Sequence, residues 1–109
     1  MQMVSAEQHN SVFRALSDPT RRAVYERLVG HEATVKELTR GFDVSQPAIS
    51  QHLKILRDAG LVRARREGRE AHYSADAKGL SPLIDWVKHH EAFWHAHGEN
   101  LKKLLEEME

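Results

Sequence analysis

The 109-residue sequence contains no cysteine. This absence excludes a disulfide framework, a thiolate nucleophile, a cysteine-based zinc or iron–sulfur site and a thiol redox switch. No apolar run is longer than a few residues, so the sequence predicts no membrane-spanning helix. The first eight residues also lack the basic start and apolar stretch of a signal peptide, and we therefore expect a cytoplasmic protein.

The chain has no net charge either, because 16 basic residues balance 16 acidic ones, but the charges are unevenly placed. Residues 18–75 hold eleven basic and eight acidic side chains, whereas residues 76–109 hold four and seven. A basic middle favours contact with a polyanion. The length and a hydrophobic fraction of 40% predict one globular domain over residues 1–109.

Capping residues divide the first half of the chain into four short helices. Asp18 followed by Pro19 is a typical helix start, and Thr34 with Glu37 has the spacing of a capping box. Ser45 is suited to cap the fourth helix. The predicted helices cover about 6–17, 19–29, 35–40 and 45–59.

The fourth helix has an unusual polar face. Its apolar residues Ile49, Leu53 and Leu56 recur at helical spacing and form one stripe that should be buried. A merely solvated opposite face would be filled with Glu, Lys and Arg. Here it carries amide and hydroxyl side chains, which are the groups that hydrogen-bond to base edges in the DNA major groove. The residues of this face are Gln46, Pro47, Ser50, Gln51 and Lys54.

A basic hairpin follows the fourth helix. Residues 61–66 and 70–74 are rich in β-formers and flank a short turn that contains Gly68. The arginines of this wing, about 61–74, suit contact with phosphate or with a narrow minor groove. Alternatively, they are solvated charges that protect an exposed strand edge. The sequence thus predicts a mainly α winged helix-turn-helix with one small two-stranded β-hairpin.

Three segments closely resemble the ArsR family of bacterial repressors: residues 18–22 (DPTRR), 45–56 (SQPAISQHLKIL) and 59–62 (AGLV). The resemblance covers about residues 11–97. It implies a homodimer that binds a partly palindromic operator in double-stranded DNA and represses its own or a neighbouring operon. By position, the residues that match the family's recognition helix are Ser45, Gln46, Pro47, Ser50 and Gln51, and those that match its wing are Arg65, Arg66 and Arg69.

The end of the chain predicts a dimerisation helix over about 82–107, started by Ser81 and Pro82. Its apolar residues follow a seven-residue repeat that is too long for this small domain to cover alone. A second copy of the chain should cover it, with the two tryptophans as large interface anchors. The predicted interface residues are Val12, Leu83, Val87, His90, Trp94 and Leu101.

The histidines of this helix raise the question of a metal site. The family offers two metal-site patterns. One needs paired cysteines in the third helix, and the other, counted from Asp85, needs ligands where this chain has Val87, Gly98 and Leu101. Both patterns fail, so the sequence predicts no metal and no cofactor, and the inducer is unknown. A zinc-responsive repressor with a new site remains an alternative, with ligands drawn from His90, Glu91, His95 and His97.

Two other functions compete with operator binding. One is a winged-helix module that binds a protein and touches no DNA. The other is an enzyme, which we exclude because no catalytic triad, glycine-rich phosphate loop or recognisable pair of acids is present. Arg21 and Arg22 could contact phosphate or pair with acids such as Glu26. His52 is expected to pack against the turn rather than to contact a base.

Overall fold

The computed structural model describes residues 6–98, 103, 106 and 107. Within this part the chain forms six α-helices, one antiparallel hairpin and a short 3-10 turn before the fifth helix. The elements are α1 (Ala6–Ser17), α2 (Pro19–Arg27), α3 (Val35–Gly41), α4 (Gln46–Asp58), β1 (Val62–Glu67), β2 (Glu70–Ala75), the 3-10 turn (Ala77–Leu80), α5 (Ser81–His89) and α6 (Glu91–Ala96). Mainly helical with one hairpin, the fold is the one predicted.

Side-chain caps start α2, α3 and α4 at the predicted residues. The Asp18 carboxylate accepts a hydrogen bond from the backbone N–H of Arg21 at 2.9 Å. This bond is the main reason why the pKa of Asp18 lies below its usual value. Ser45 Oγ accepts the backbone N–H of Ala48 at 3.2 Å and fixes the start of α4.

A complete capping box starts α3. The backbone N–H of Glu37 donates to Thr34 Oγ1 at 3.2 Å, and the backbone N–H of Thr34 donates to Glu37 Oε1 at 3.0 Å. The second bond lowers the pKa of Glu37, because it stabilises the charged carboxylate. Thr34 itself is buried, so the box anchors α3 within the fold.

The core lies where α1 to α4 meet the start of the hairpin. The predicted stripe of α4 is confirmed, since Ile49, Leu53 and Leu56 are each no more than 1% exposed. Val12, predicted as an interface residue, needs correction. It is 1% exposed because it lies on the inward stripe of α1, so it packs in the core. The buried hydrophobic residues are Val12, Ala15, Val24, Tyr25, Leu28, Ala33, Leu38, Ile49, Leu53, Leu56, Leu61 and Val62.

Arginines of α2 hold the end of α1. Arg21 donates from Nε to the carbonyl of Ala15 at 2.6 Å and from Nη2 to that of Arg14 at 3.0 Å. Arg22 donates to the carbonyl of Leu16 at 2.7 Å. The last carbonyls of a helix have no partner inside the helix, so these guanidinium groups satisfy α1 and complement its dipole. The structure therefore gives both arginines a role that differs from the two predicted alternatives.

The hairpin pairs β1 with β2 in a register that runs from Val62–Ala75 to Glu67–Glu70. Gly68 has φ +63°, as a two-residue hairpin turn requires. Tyr73 also forms a β-bridge with Ala33 in the α2–α3 loop, through backbone hydrogen bonds of 3.0 and 2.8 Å. The loop therefore lies beside β2, and β2 runs between the loop and β1.

The predicted single helix over about 82–107 also needs correction, because in the described part it is divided into α5 and α6 at His90. There the backbone leaves the helical region with φ −106° and ψ 19°. The His90 backbone N–H bonds to Val87, three residues back, and the imidazole Nδ1 bonds to the carbonyl of Trp86 at 2.9 Å. The side chain thus takes the carbonyl that a continuing helix would use.

The first turns of α5 pack against α1. His9 Nε2 lies 3.4 Å from an Asp85 carboxylate oxygen, and both side chains are about four-fifths buried. Leu83 packs against the core from α5. Among the described residues, no helix has the length and apolar composition that crossing a membrane requires.

Candidate nucleic-acid interface

The polar face of α4 is a free surface. All of its predicted contact residues are exposed, whereas the stripe on the other side of the helix is buried. The side chains of Gln46, Ser50 and Gln51 make no hydrogen bond with any residue that the structure describes. Their donors and acceptors are consequently open to an external partner. We call this set the polar front of α4: Ser45, Gln46, Pro47, Ser50, Gln51 and Lys54.

Two members of the polar front are partly engaged. Ser45 Oγ accepts the capping hydrogen bond, which leaves its hydroxyl hydrogen to donate elsewhere. Lys54 Nζ lies 3.0 Å from an Asp58 carboxylate oxygen one turn away. Both of these side chains are about two-thirds exposed, and exposed pairs of this kind contribute little, so Lys54 can exchange Asp58 for a phosphate.

His52 lies beside the polar front but belongs to the packed side of α4. The residue is half-buried, and its buried Nδ1 has no hydrogen-bond partner among the described residues. His52 is predicted to pack against the turn rather than to contact a base, and its partial burial is compatible with that prediction.

The wing has two faces with different electrostatics. Side chains alternate along β1, so Arg63, Arg65 and Glu67 lie on one face. Val62, Ala64 and Arg66 lie on the other face, which is the one that begins in the core, because Val62 is 3% exposed.

Arg65 is engaged by two carboxylates. Its Nε and Nη2 donate to the two oxygens of Glu32 at 2.8 and 2.6 Å, and its Nη1 donates to Glu67 at 3.1 Å. The hydrogen bond from Arg65 is the main cause that lowers the pKa of Glu32, and the same bond raises the pKa of Arg65. Sequence reasoning missed Glu32, because it lies more than thirty positions from Arg65 in a loop.

Arg66 and Arg69 differ from Arg65. Both are exposed, and neither side chain makes a hydrogen bond or an ion pair with any residue in the described part of the chain. The structure therefore divides the three predicted wing arginines into one that is paired internally and two that are open to a partner.

A groove of about 400 Å³ separates the wing from the starts of α3 and α4. It brings Arg69 of the wing turn and Gln46 of the polar front to one concave surface. Lys36, an exposed residue of α3, adds a second basic side chain there, and sequence reasoning did not single it out. Its signal was weak, because one lysine in a first helical turn is ordinary on a solvated surface. The groove is lined by Thr34, Val35, Lys36, Gln46, Arg69, Glu70 and Ala71.

A second surface is apolar and lies on α1, α5 and α6. Phe13 and Trp86 meet edge to face with ring centroids 5.6 Å apart, and Trp86 contacts the His90 ring at 4.6 Å. Of the predicted interface residues, Val87 is 46% exposed, His90 is half-buried and Leu83 is partly buried against the core. The Trp94 side chain and Leu101 lie outside the described residues. We call the exposed set the apolar face: Phe13, Ile84, Trp86, Val87 and Phe93.

The candidate zinc ligands lie on the same helices. Nδ1 of His90 and Nδ1 of His97 each bond to the backbone carbonyl four residues earlier, at 2.9 Å. These contacts finish α5 and α6. No group of three or more His, Cys, Asp or Glu side chains in the described part of the chain is placed to hold a metal ion.

Comparison with known proteins supports a helix-turn-helix regulator. A family model described as a helix-turn-helix domain matches residues 16–65. The chain is 38% identical over 78 residues to the transcriptional repressor SdpR of Bacillus subtilis, a match that covers 72% of this chain and 87% of SdpR. It is 42% identical to the repressor SmtB of Mycobacterium tuberculosis over 72% of this chain, but spans only 58% of SmtB.

Solved structures agree with this assignment. A crystal structure of an ArsR family transcriptional regulator superposes with a TM-score of 0.77 at 34% identity, covering 86% of this chain and 97% of the other. An ArsR-like transcriptional regulator from Rhodococcus sp. RHA1 gives a TM-score of 0.73 at 31% identity, with coverages of 90% and 92%. All of these similar proteins are described as regulators, which points to a role other than catalysis.

Proposed function

The chain belongs to the ArsR family of DNA-binding helix-turn-helix repressors, and we propose that it acts as a homodimer on a palindromic operator of its own or a neighbouring operon. In this proposal α4 enters the major groove and the wing contacts the backbone beside it. A regulator of this kind works where the chromosome is, so we place it in the cytoplasm.

The observation that supports base contact is the polar front of α4. The side chains of Gln46, Ser50 and Gln51 are exposed and make no hydrogen bond with the described residues, so contact with DNA breaks no internal side-chain hydrogen bond. A glutamine amide can bond to adenine through two atoms at once, and serine can bond to several bases. The buried stripe of α4 holds the helix rigidly, which keeps these side chains in one register.

Phosphate contact is assigned to the exposed basic residues around the groove. The guanidinium groups of Arg66 and Arg69 have no hydrogen-bond or ion-pair partner among the described residues, and Lys36 lies on the same groove as Arg69. Lys54 adds a charge at the side of the polar front. These residues supply affinity that depends on salt, because each phosphate contact releases condensed counterions.

The homodimer is supported by the apolar face. Ile84 is 52% exposed, Val87 is 46% exposed and Trp86 is 37% exposed, so a lone chain leaves three large apolar side chains of one helix in water. A second copy would bury them and would present two α4 helices to the two halves of a palindrome. Aromatic residues are also favoured at the centres of such interfaces.

The test of base contact is Gln51→Ala, with DNA from the region upstream of the coding sequence. Each good base contact provides roughly 1–3 kcal/mol of discrimination, and a homodimer on a palindrome loses one such contact in each half-site. Affinity for the operator should therefore fall by about 30-fold or more. Affinity for a scrambled duplex of equal length and composition should not change. Fluorescence anisotropy at one fixed salt concentration measures both affinities.

Two outcomes would contradict parts of the proposal. An equal loss of affinity on operator and scrambled duplex would assign Gln51 to the DNA backbone instead of a base. A folded wild-type protein that binds neither duplex at low salt would leave the protein-interaction module as the function of this fold. Gln46→Ala, measured in the same way, shows whether base contact extends to the start of α4.

A further inference from the structure

A small charged network covers the outer face of the wing. It joins Glu32 of the α2–α3 loop to Arg65 and Glu67 of β1 and to His72 of β2. Arg65 stands directly opposite His72 in the strand register. The His72 ring nitrogens lie 4.0 Å from a Glu32 oxygen and 3.6 Å from a Glu67 oxygen. Two carboxylates thus enclose one guanidinium, with an imidazole beside them.

The backbone holds Glu32 in this position. The β-bridge between Ala33 and Tyr73 fixes the loop alongside β2, through two hydrogen bonds of 2.8 and 3.0 Å. Ala33 is fully buried, so the residue next to Glu32 is anchored in the core. Glu32 therefore belongs to the part of the domain formed by α2, α3 and α4, which we call the helix-turn-helix body, whereas Arg65 belongs to the wing.

The contact between Glu32 and Arg65 has the geometry of a strong ion pair. Two parallel N–H groups meet two carboxylate oxygens, and the Glu67 carboxylate takes a further N–H. Three of the five N–H groups of the guanidinium are thus used internally. Exposed ion pairs usually contribute little to stability. They contribute more when the geometry is bidentate and when the pair belongs to a network of charges, and both conditions hold here. The Glu32 side chain is only 32% exposed.

We propose that Glu32 is a specificity-determining residue, which holds Arg65 away from DNA phosphate and fixes the wing against the helix-turn-helix body. The inference rests on the proposed DNA binding. Because Glu32 binds the Arg65 guanidinium, Arg65 cannot contact a DNA phosphate, and such a contact would not depend on the base sequence. A larger share of the binding free energy then comes from the base contacts of α4 and a smaller share from phosphate contacts of the wing.

The experiment is a double-mutant cycle of Glu32→Gln and Arg65→Gln, with affinity for operator and for scrambled duplex measured over a range of salt. Each phosphate contact steepens the dependence of log affinity on log salt by about 0.9. We expect Arg65→Gln to keep the wild-type slope. Glu32→Gln should steepen it by about one contact per protomer, or about 1.8 for the homodimer, and strengthen binding to the scrambled duplex about three- to tenfold per protomer near physiological salt. The double variant should return to the wild-type slope.

Glu70→Gln is the matched control. It removes one negative charge from the same hairpin, but the Glu70 side chain makes no hydrogen bond with the described residues. Its general electrostatic effect should be the same with and without Arg65, whereas the effect of Glu32→Gln in the Arg65→Gln background should shrink to that of Glu70→Gln. Glu67→Gln should give a smaller change than Glu32→Gln, because Glu67 accepts only one N–H of Arg65. Urea unfolding of each variant confirms that the fold is retained.

Arg66→Gln gives the reference for a wing arginine that does contact phosphate. If Arg65→Gln alone lowered the slope as Arg66→Gln does, Arg65 would contact DNA in the wild-type protein and the inference would be wrong. A slope that stayed unchanged in Glu32→Gln would also overturn it. In both cases the operator would still be bound, whereas failure of the proposed function would show as no binding by the wild-type protein. Should Glu32→Gln unfold, Glu32→Asp, which shortens the side chain and breaks the paired geometry, replaces it in the cycle.

Discussion

At the scale of single residues, arginine serves three purposes in this chain. Arg21 and Arg22 bind carbonyl groups at the end of α1, Arg65 binds Glu32, and Arg66 and Arg69 stay exposed. A guanidinium is a planar fork of donors, so it can satisfy a helix end, a carboxylate or a phosphate equally well. Which of these it binds is decided by the groups that the fold brings within reach.

The structural role of Arg21 predicts a stability effect. Arg21→Ala should lower the free energy of unfolding by about 1–2 kcal/mol, because two charge-assisted hydrogen bonds to the end of α1 are lost. Arg40→Ala is the control, since the Arg40 side chain is exposed and makes no hydrogen bond with the described residues, and it should change stability by less than about 0.5 kcal/mol. Urea unfolding followed by circular dichroism measures both. Equal small changes, together with a weaker salt dependence of DNA binding in Arg21→Ala, would favour the phosphate interpretation.

At this scale the sequence predicts side-chain types and exposure better than partners. Five residues of the polar front follow from helical spacing and Ser45 from its capping position and the family resemblance, and the structure exposes all six. The pairing of Arg65 with Glu32 depends on the bridge between Ala33 and Tyr73, forty positions apart. No local pattern contains that contact, so the three wing arginines look alike in the sequence.

At the scale of elements, local caps define the helices. The capping box of α3 needs only Thr34 and Glu37, three positions apart, and for this reason its position can be predicted from the sequence. The break at His90 could not be predicted in the same way. The seven-residue apolar repeat continues across His90. Such a repeat describes side chains only, so it does not show that the His90 N–H bonds to the carbonyl three residues back instead of four.

The capping box predicts a pH effect on α3. The pKa of Glu37 is lowered in the folded chain, so the unfolded chain binds the proton more readily. Stability from this carboxylate is complete above its ordinary pKa of about 4.3 and is lost as the pH falls through the lower folded value. Glu37→Gln keeps an acceptor for the Thr34 N–H but does not titrate, so its stability should fall less than that of the wild type between about pH 5 and pH 3.

Urea unfolding at a series of pH values measures this difference. Glu26→Gln is the control, because Glu26 is an exposed glutamate of α2 with no side-chain hydrogen bond to the described residues. Its stability should follow the wild type over the same range. Parallel curves for Glu37→Gln and the wild type would show that the carboxylate charge contributes nothing to the start of α3.

At the scale of the whole molecule, the surface proposed to bind DNA and the surface proposed to bind a second copy are formed by different elements. The polar front and the wing groove lie on α3, α4 and the hairpin, whereas the apolar face lies on α1, α5 and α6. The core of α1 to α4 joins them. A second copy bound at the apolar face would therefore leave the polar front uncovered, and the spacing of the two fronts would be set by α1 and α5.

The apolar face predicts how dimerisation and operator binding are linked. Ile84→Ser should weaken the homodimer about tenfold or more, because the loss of apolar burial is counted twice in a symmetric interface. Val29→Ser is the matched control, since Val29 is 53% exposed and Ile84 is 52% exposed, but Val29 follows α2 and lies outside the apolar face. Sedimentation equilibrium gives the dissociation constants, and anisotropy gives operator affinity at protein concentrations on either side of them.

We expect Ile84→Ser to lose operator affinity only where it is monomeric and to recover it at high concentration, because its polar front is intact. Equal dissociation constants for the two variants would place the homodimer contact elsewhere, and full operator affinity in a monomeric Ile84→Ser would show that one polar front is sufficient.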